Sequence, residues 1–418
     1  MSESEKRLYC FFSFFGSYMK NSVFKILENI YEVGGDSPNR ITAMEGLRGL
    51  AVILVFFVHY HALFAGNINP DSNTFAVSKF LEVIGNSGVD LFFVLSGYLI
   101  YGAVIKNFHF FKFISRRIQR IYPTFLVVFA VYLAASFLNP AKSKIPDAMP
   151  EALIFILQNI LLLPGIFKIE PIITVAWSLS YEFFFYLLLP LLVAGFQLPK
   201  RTPLTRIIFF VSLVLICIIY SFYGSFPNLK LVMFASGILA YEAVKSFQIH
   251  KKVTSGTDIL AILTFLISLP LTYLLINSPE NLSLSNHAQV ANVLHLLLLF
   301  VTFLILVLTC IGSKTILKTI FSWTPLRWLG NMSYSYYLIH GFTLQCVALA
   351  ILLFAPKPIE SVWIFWICVP IFFTLTWISS TILFVLIEKP FSIGVQTTAK
   401  SAENTPQQRF VKIVGNEQ

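Results

Sequence analysis

Apolar residues in this chain come in long runs, not in the alternation of a half-buried strand or the single stripe of a surface helix. Ten runs are long enough to cross a hydrocarbon layer of roughly 30 Å as helices: 47–66, 84–105, 119–138, 175–196, 207–223, 229–246, 258–276, 290–311, 334–354 and 363–387. An eleventh run, 151–164, has only fourteen residues and is bounded by Pro150 and Pro164. At that length it predicts a re-entrant or buried helix. The pattern as a whole predicts an all-α fold, a polytopic integral membrane bundle of about ten transmembrane helices plus a short re-entrant segment.

Composition agrees with the pattern. Of 418 residues, 57% are hydrophobic and 12% charged, against about 25% charged in soluble domains. The net charge of +10 does not form one basic surface. It is spread in short clusters between apolar runs, which points to membrane topology and argues against nucleic acid as a partner. With the N-terminus cytoplasmic and 151–164 not crossing, the cytoplasmic segments hold 23 Lys and Arg and the outside loops six. Ten spans with both termini in the cytoplasm follow from that bias. The five cysteines lie far apart and show no paired or Cys/His ligand spacing, so neither a disulfide framework nor a metal site is expected. The short aromatic run 8–19 reads as an interfacial helix, not a cleaved signal peptide.

Ionisable residues within apolar spans are costly and mark functional sites. The first span carries Arg48 near its cytoplasmic end and His59 eleven residues on, about 16 Å further along a helix. His61, two residues later, points elsewhere. Asp90 near the start of the second span and Glu182 near the start of the fourth fall at the level of His59 if those helices begin near Ile84 and Val175. A histidine between two carboxylates has what a general base needs, a group that fixes its tautomer and stabilises the imidazolium. Each residue also has a plainer explanation. His59 could simply hydrogen-bond to a neighbouring helix, Asp90 could cap a helix starting at Ser87, and Glu182 could snorkel to the interface. On the cytoplasmic side, FFKFISRRIQRIYP (110–123) places Arg116, Arg117 and Arg120 within about one turn. They read either as topology anchors or as a clamp for phosphates. Arg327 and His340 are weaker candidates for the same face, and Ser96 reads as a packing residue.

Taken in order, RITAMEGLRGLAVILVFFVHYH (40–61), GNSGVDLFFVLSGYLI (85–100), FISRRIQRIYP (113–123), VAWSLSYEFFFYLLLP (175–190), RWLGNMSYSYYLIH (327–340) and LIEKPF (386–391) resemble the integral membrane acyltransferase-3 family, which O-acylates envelope sugars. The resemblance implies three parts: an N-terminal cytoplasmic or interfacial extension (1–39), a membrane acyltransferase domain (40–391) and a disordered cytoplasmic tail (392–418). It implies His59 as the catalytic residue, with Glu182 as the family's motif glutamate. Arg117 and Arg120 would bind a cytoplasmic acyl-CoA, and Arg116 and Arg48 would add positive charge. It also implies a bacterial inner membrane. Some members carry a fused periplasmic hydrolase-like domain, and none is expected here because the chain ends soon after Phe391.

The expected function is O-acylation. An acyl group, acetyl above all, moves from acetyl-CoA as donor substrate to a hydroxyl of a lipid-linked or envelope saccharide, with no bound cofactor and no metal. His59 acts as general base or as transient acyl carrier, while Glu182 and Asp90 orient and stabilise it. A transporter or flippase of lipid-linked glycan would share ten spans and buried charges, but no inverted repeat or pair of broken helices is evident. A membrane-bound O-acyltransferase of the other type, acting on protein or lipid, is a third reading.

Overall fold

The computed structural model describes residues 24–33, 40–106, 109–140, 143–223, 229–251, 253, 255–277, 285–312, 315–354 and 362–394. They fall in two units, Met1–Arg40 and Ile41–Gln418. The expected interfacial helix at 8–19 and the tail beyond 394 lie outside the described residues. In the first unit a helix, α1, covers 24–31, and Arg40 pairs with Glu32.

The second unit is built of helices, with no β-strand among the described residues. In order they are α2 (Thr42–Phe64), α3 (Asn73–Gly85), α4 (Ser87–Val104), α5 (Phe110–Leu138), α6 (Met149–Ile160), α7 (Ala176–Gly195), α8 (Pro203–Tyr223), α9 (Met233–Lys245), α10 (Ser255–Asn277), α11 (Ser285–Ile311), α12 (Ile316–Phe321), α13 (Thr324–Asn331), α14 (Ser333–Phe354) and α15 (Val362–Leu383). Eight helical runs among the described residues are long and apolar enough to cross a membrane. Two further expected spans are helical as well. One is α14, 22 residues long. The other is α9, whose thirteen residues extend about 20 Å. Its preceding turn, Leu229–Val232, is a tighter 3₁₀ helix. The short run at 151–164 forms α6, twelve residues and about 18 Å, too short to cross by itself.

Three departures from the expected helix limits shape the site. The second span does not start near Ile84: α3 precedes α4, and Asn86 between them keeps helical angles (φ −57°, ψ −25°), so Asn73–Val104 is one run of 32 residues. After α6 the chain turns back into the protein. Asn159 accepts from Ile172 N (2.8 Å) and donates to Glu170 O, and Ile172, Ile173 and Val175 are buried. Helix α7 therefore begins inside the bundle, not at its edge. Finally, α15 continues through Pro390 as a wider π-helical stretch, Phe384–Gly394. The missing N–H of a proline is tolerated there because the regular ladder is already broken.

Helix α4 packs on α9 through two glycines. A Cβ on Gly97 would meet Phe234 O at 2.1 Å, and one on Gly237 would meet Val94 O at 1.9 Å, so only hydrogen fits at either position. The contact is reciprocal, each glycine lying over the carbonyl three residues before the other. It accounts for the similarity of SGYLIY (96–101) and SGILAY (236–241) as a shared packing motif. Below it Tyr101 donates to the buried Glu242, which Arg206 grips with two nitrogens (2.6 and 2.8 Å), tying α4, α8 and α9 together.

Candidate active site

A cavity of about 140 Å³ lies where α2, α4, α5, α7 and α14 converge, large enough for several ordered atoms of a ligand. Its polar wall is made by Arg48, Ser96, Arg117, Arg120, Ser178, Glu182, Tyr186, Tyr334 and Tyr337. Four of the residues singled out from sequence, Arg48, Arg117, Arg120 and Glu182, thus meet in one place. Spacing explains each set. Arg117 and Arg120 are three apart on α5, and Ser178 and Glu182 four apart on α7, so each pair projects from one helix face. Arg116 does not line the cavity. It precedes Arg117 by one residue, a turn of about 100° around the helix, so it is not brought together with Arg117 and Arg120 in the cavity wall.

The three arginines are held differently. Arg120 pairs with Glu388 of the π-helical stretch at 2.7 Å, and the fully buried Glu388 also accepts from Ser335 N (3.0 Å) and Oγ (2.5 Å). The guanidinium of Arg117 lies over the rings of Phe113 (5.3 Å) and Tyr186 (5.6 Å). Arg117 Nε and Arg120 Nη1 are buried without a hydrogen-bond partner among the described residues. Arg48 feels the charges of Arg120, Glu182 and Glu45. Glu182 accepts from Ser96 (2.5 Å) and from Tyr186, both at Oε1. The lining therefore carries three guanidiniums against one carboxylate, with buried donors to spare. Such a wall suits an anion that accepts from arginine forks.

The expected cluster of His59, Asp90 and Glu182 does not form in this way. Glu182 belongs to the arginine end, bonded to Ser96, which lies six residues, about 9 Å, along α4 from Asp90. The cause is the deep start of α7, which carries Glu182 further in than a start at the bundle edge would. Asp90, buried in the first turn of α4, receives Lys230 of the 3₁₀ turn at 3.2 Å. Neither Asp90 nor His59 lines the cavity.

Near the other end of α2, His59 sits against His340 of α14, ring centroids 4.9 Å apart and edge-to-face. His340 is fully buried and thus lies at the histidine, not beside the arginine clamp as its sequence position suggested. Tyr337 links the two regions. Its ring is 6.0 Å from that of His340, its hydroxyl meets Ser178 at 2.6 Å, and it lines the cavity. Arg327 pairs with Glu45 at 3.1 Å and serves α2–α13 packing. His61 takes the role of a packing histidine, with Nδ1 at 3.0 Å from Ser78 Oγ of α3 and Nε2 at 3.8 Å from Glu82. Sequence reasoning missed Ser178, Tyr186, Tyr334, Tyr337 and Glu388. Glu388 lies just past the apolar run 363–387, beside Lys389, and so lacked the signal of an ionisable residue inside a span.

The chain was compared with known proteins. A family model described as an acyltransferase domain matches residues 41–382. The O-acetyltransferase OatA of Staphylococcus aureus is 28% identical over 354 residues, covering 77% of this chain and 53% of that protein. The acyltransferase MdmB of Streptomyces mycarofaciens is 29% identical over 173 residues, covering 40% of this chain and 42% of its own. The chain thus spans about half the length of these curated relatives. No solved structure matches. With its helical membrane bundle and the family match across most of its length, the chain carries an acyltransferase domain and belongs to the acyltransferase-3 family.

Proposed function

We propose that this protein is a membrane O-acetyltransferase that moves the acetyl group of acetyl-CoA to a hydroxyl of a lipid-linked or envelope saccharide, in a bacterial inner membrane. The observation that carries the reading is the cavity wall of three guanidiniums against one carboxylate, set about 16 Å along α2 from His59, whose ring meets that of His340. Phosphates of the donor fit the arginine end, where Arg117 and Arg48 supply charge from the cavity wall. The pantetheine arm then extends past Tyr337 toward His59, and the saccharide meets it from the histidine end.

The chemistry needs one base and no redox step. His59 takes the proton of the acceptor hydroxyl as its oxygen attacks the thioester carbonyl. The tetrahedral intermediate expels the CoA thiolate, which recovers the proton from the imidazolium. The products are the O-acetyl ester and CoA thiol. The name of the relative OatA supports acetyl as the group transferred, and the family resemblance supports a saccharide as acceptor.

The test is label transfer from [¹⁴C]acetyl-CoA into the saccharide fraction of envelopes from the source cell. His59→Ala should lower transfer by a factor of about 10² or more, while binding of acetyl-CoA to purified protein stays within about twofold of wild type. Undiminished transfer by His59→Ala would reject the base. Transfer by wild type that does not depend on acetyl-CoA would reject the donor.

A further inference from the structure

Away from the cavity, three clusters of buried ionisable groups are built around residues of α9, α4 and α14. In the first, Glu242 accepts from Arg206, Tyr101 and Ser246, and its carboxylate is spoken for. In the second, Lys230 holds Asp90 through Oδ2, and Oδ1 is buried without a partner among the described residues. The third, His59 with His340, is different because two imidazole rings meet directly and His340 Nε2 has no partner among the described residues.

The state of His340 follows from its partners. Its Nδ1 lies 3.0 Å from Tyr336 O and 2.8 Å from Tyr337 O. Carbonyl oxygens only accept, so Nδ1 carries the proton, and in neutral imidazole Nε2 is then a bare acceptor. That Nε2 is buried with no hydrogen-bond partner among the described residues. A second proton there would create a buried donor with nothing to receive it, which is costly. The ring is also held in place, stacked on Tyr336 with centroids 5.5 Å apart and planes 14° from parallel. The nearest polar ring is that of His59 at 4.9 Å, a separation at which nitrogens turned toward each other come within hydrogen-bond reach. Meanwhile the two carboxylates that could have oriented His59 are engaged elsewhere, Asp90 with Lys230 and Glu182 with Ser96 and Tyr186.

We propose that His340 is the positioning residue for His59: once the His59 ring turns an N–H toward it, its Nε2 accepts that N–H and so fixes the tautomer that presents the other His59 nitrogen as the base. The inference rests on His59 being the base in acetyl transfer. No proton passes to His340. The imidazolium formed on His59 keeps one N–H on His340 and returns the other proton to the departing thiolate. A neutral histidine takes the place that a carboxylate holds in hydrolytic triads, supplying orientation with less charge stabilisation.

Two substitutions test it in the same label-transfer assay. His340→Phe keeps a ring and removes the acceptor; kcat should fall about 10²-fold while KM for acetyl-CoA stays within about twofold. His340→Gln keeps a carbonyl oxygen that can accept, and should recover roughly tenfold of that loss. Wild-type kcat in His340→Phe would overturn the proposal. So would equal losses in the Phe and Gln variants with KM raised alongside, the mark of damaged packing. The wild-type protein gives an independent readout: its ¹⁵N-histidine spectrum should show His59, assigned by the signal lost in His59→Ala, in one neutral tautomer. A mixture of tautomers would overturn the proposal even if both variants failed to fold. Full activity of His59→Ala sinks the parent reading, whereas an inactive His59→Ala beside a fully active His340→Phe sinks only this one.

Discussion

Arg117 and Arg120 stand one turn apart on α5 and share a cavity, yet only Arg120 is closed into an ion pair, with the buried Glu388. The two should therefore fail in different ways. Arg117→Ala removes a guanidinium that pairs with no carboxylate among the described residues, so it should raise KM for acetyl-CoA by about tenfold or more, the worth of a charge-assisted hydrogen bond. Its melting temperature in detergent should hardly move. Arg117→Lys should recover only part of the affinity, because an ammonium keeps the charge without the planar fork. Arg120→Ala leaves Glu388 buried without its cation, which costs about 3–5 kcal/mol. A clear fall in melting temperature should accompany any change in KM. Equal thermal losses in both alanine variants would contradict this division. At the same scale His59 and His61 part company: His61 is tied to Ser78 of α3, and His59 is left to His340.

The helices themselves were readable because a twenty-residue apolar run has few alternatives to a helix in a membrane. The packing of α4 on α9 through Gly97 and Gly237 can be tested as an element. Gly97→Leu puts a side chain where Phe234 O already lies 2.1 Å from the Cβ position, so α4 and α9 must separate. We expect loss of monodisperse protein or a markedly lower melting temperature, while Leu215→Ala, at an exposed position on α8, should behave like wild type. What sequence could not show was depth. A hydropathy run marks where apolar residues start, but α7 starts where the chain after α6 has already turned inward, held by Asn159. Glu182 was therefore expected beside His59 and is found beside Arg117's partner Tyr186. Asp90 was misplaced for a related reason, since α3 is amphipathic enough to escape a search for apolar runs yet continues directly into α4. His340 needed the pairing of α2 with α14, a contact between residues 281 positions apart that no local pattern encodes.

At the scale of the whole molecule, the arginine-lined cavity and the histidine pair are separated along α2 by about 16 Å, roughly half of a hydrocarbon core. The two are connected through Tyr337, which borders the cavity and the ring of His340 at once. If donor phosphates enter at one end and the acceptor hydroxyl at the other, the reaction crosses part of the bilayer without moving either whole substrate. That separates this arrangement from a flippase, which must carry its glycan through and has no use for a thioester. Sealed proteoliposomes containing the protein can decide between them. Acetyl-CoA does not cross a bilayer unaided, so [¹⁴C]acetyl-CoA supplied only outside should label saccharide acceptor trapped inside, through the molecules inserted with Arg117 facing out. Acceptor on the donor's own side should stay unlabelled. Arg117→Ala should slow the labelling at low donor and be largely relieved at high donor, because it weakens donor affinity. His59→Ala should slow it at every donor concentration. Labelling confined to the donor's side would place both substrates at the arginine end and remove His59 from the reaction. Glycan movement without any donor would instead mark a transporter.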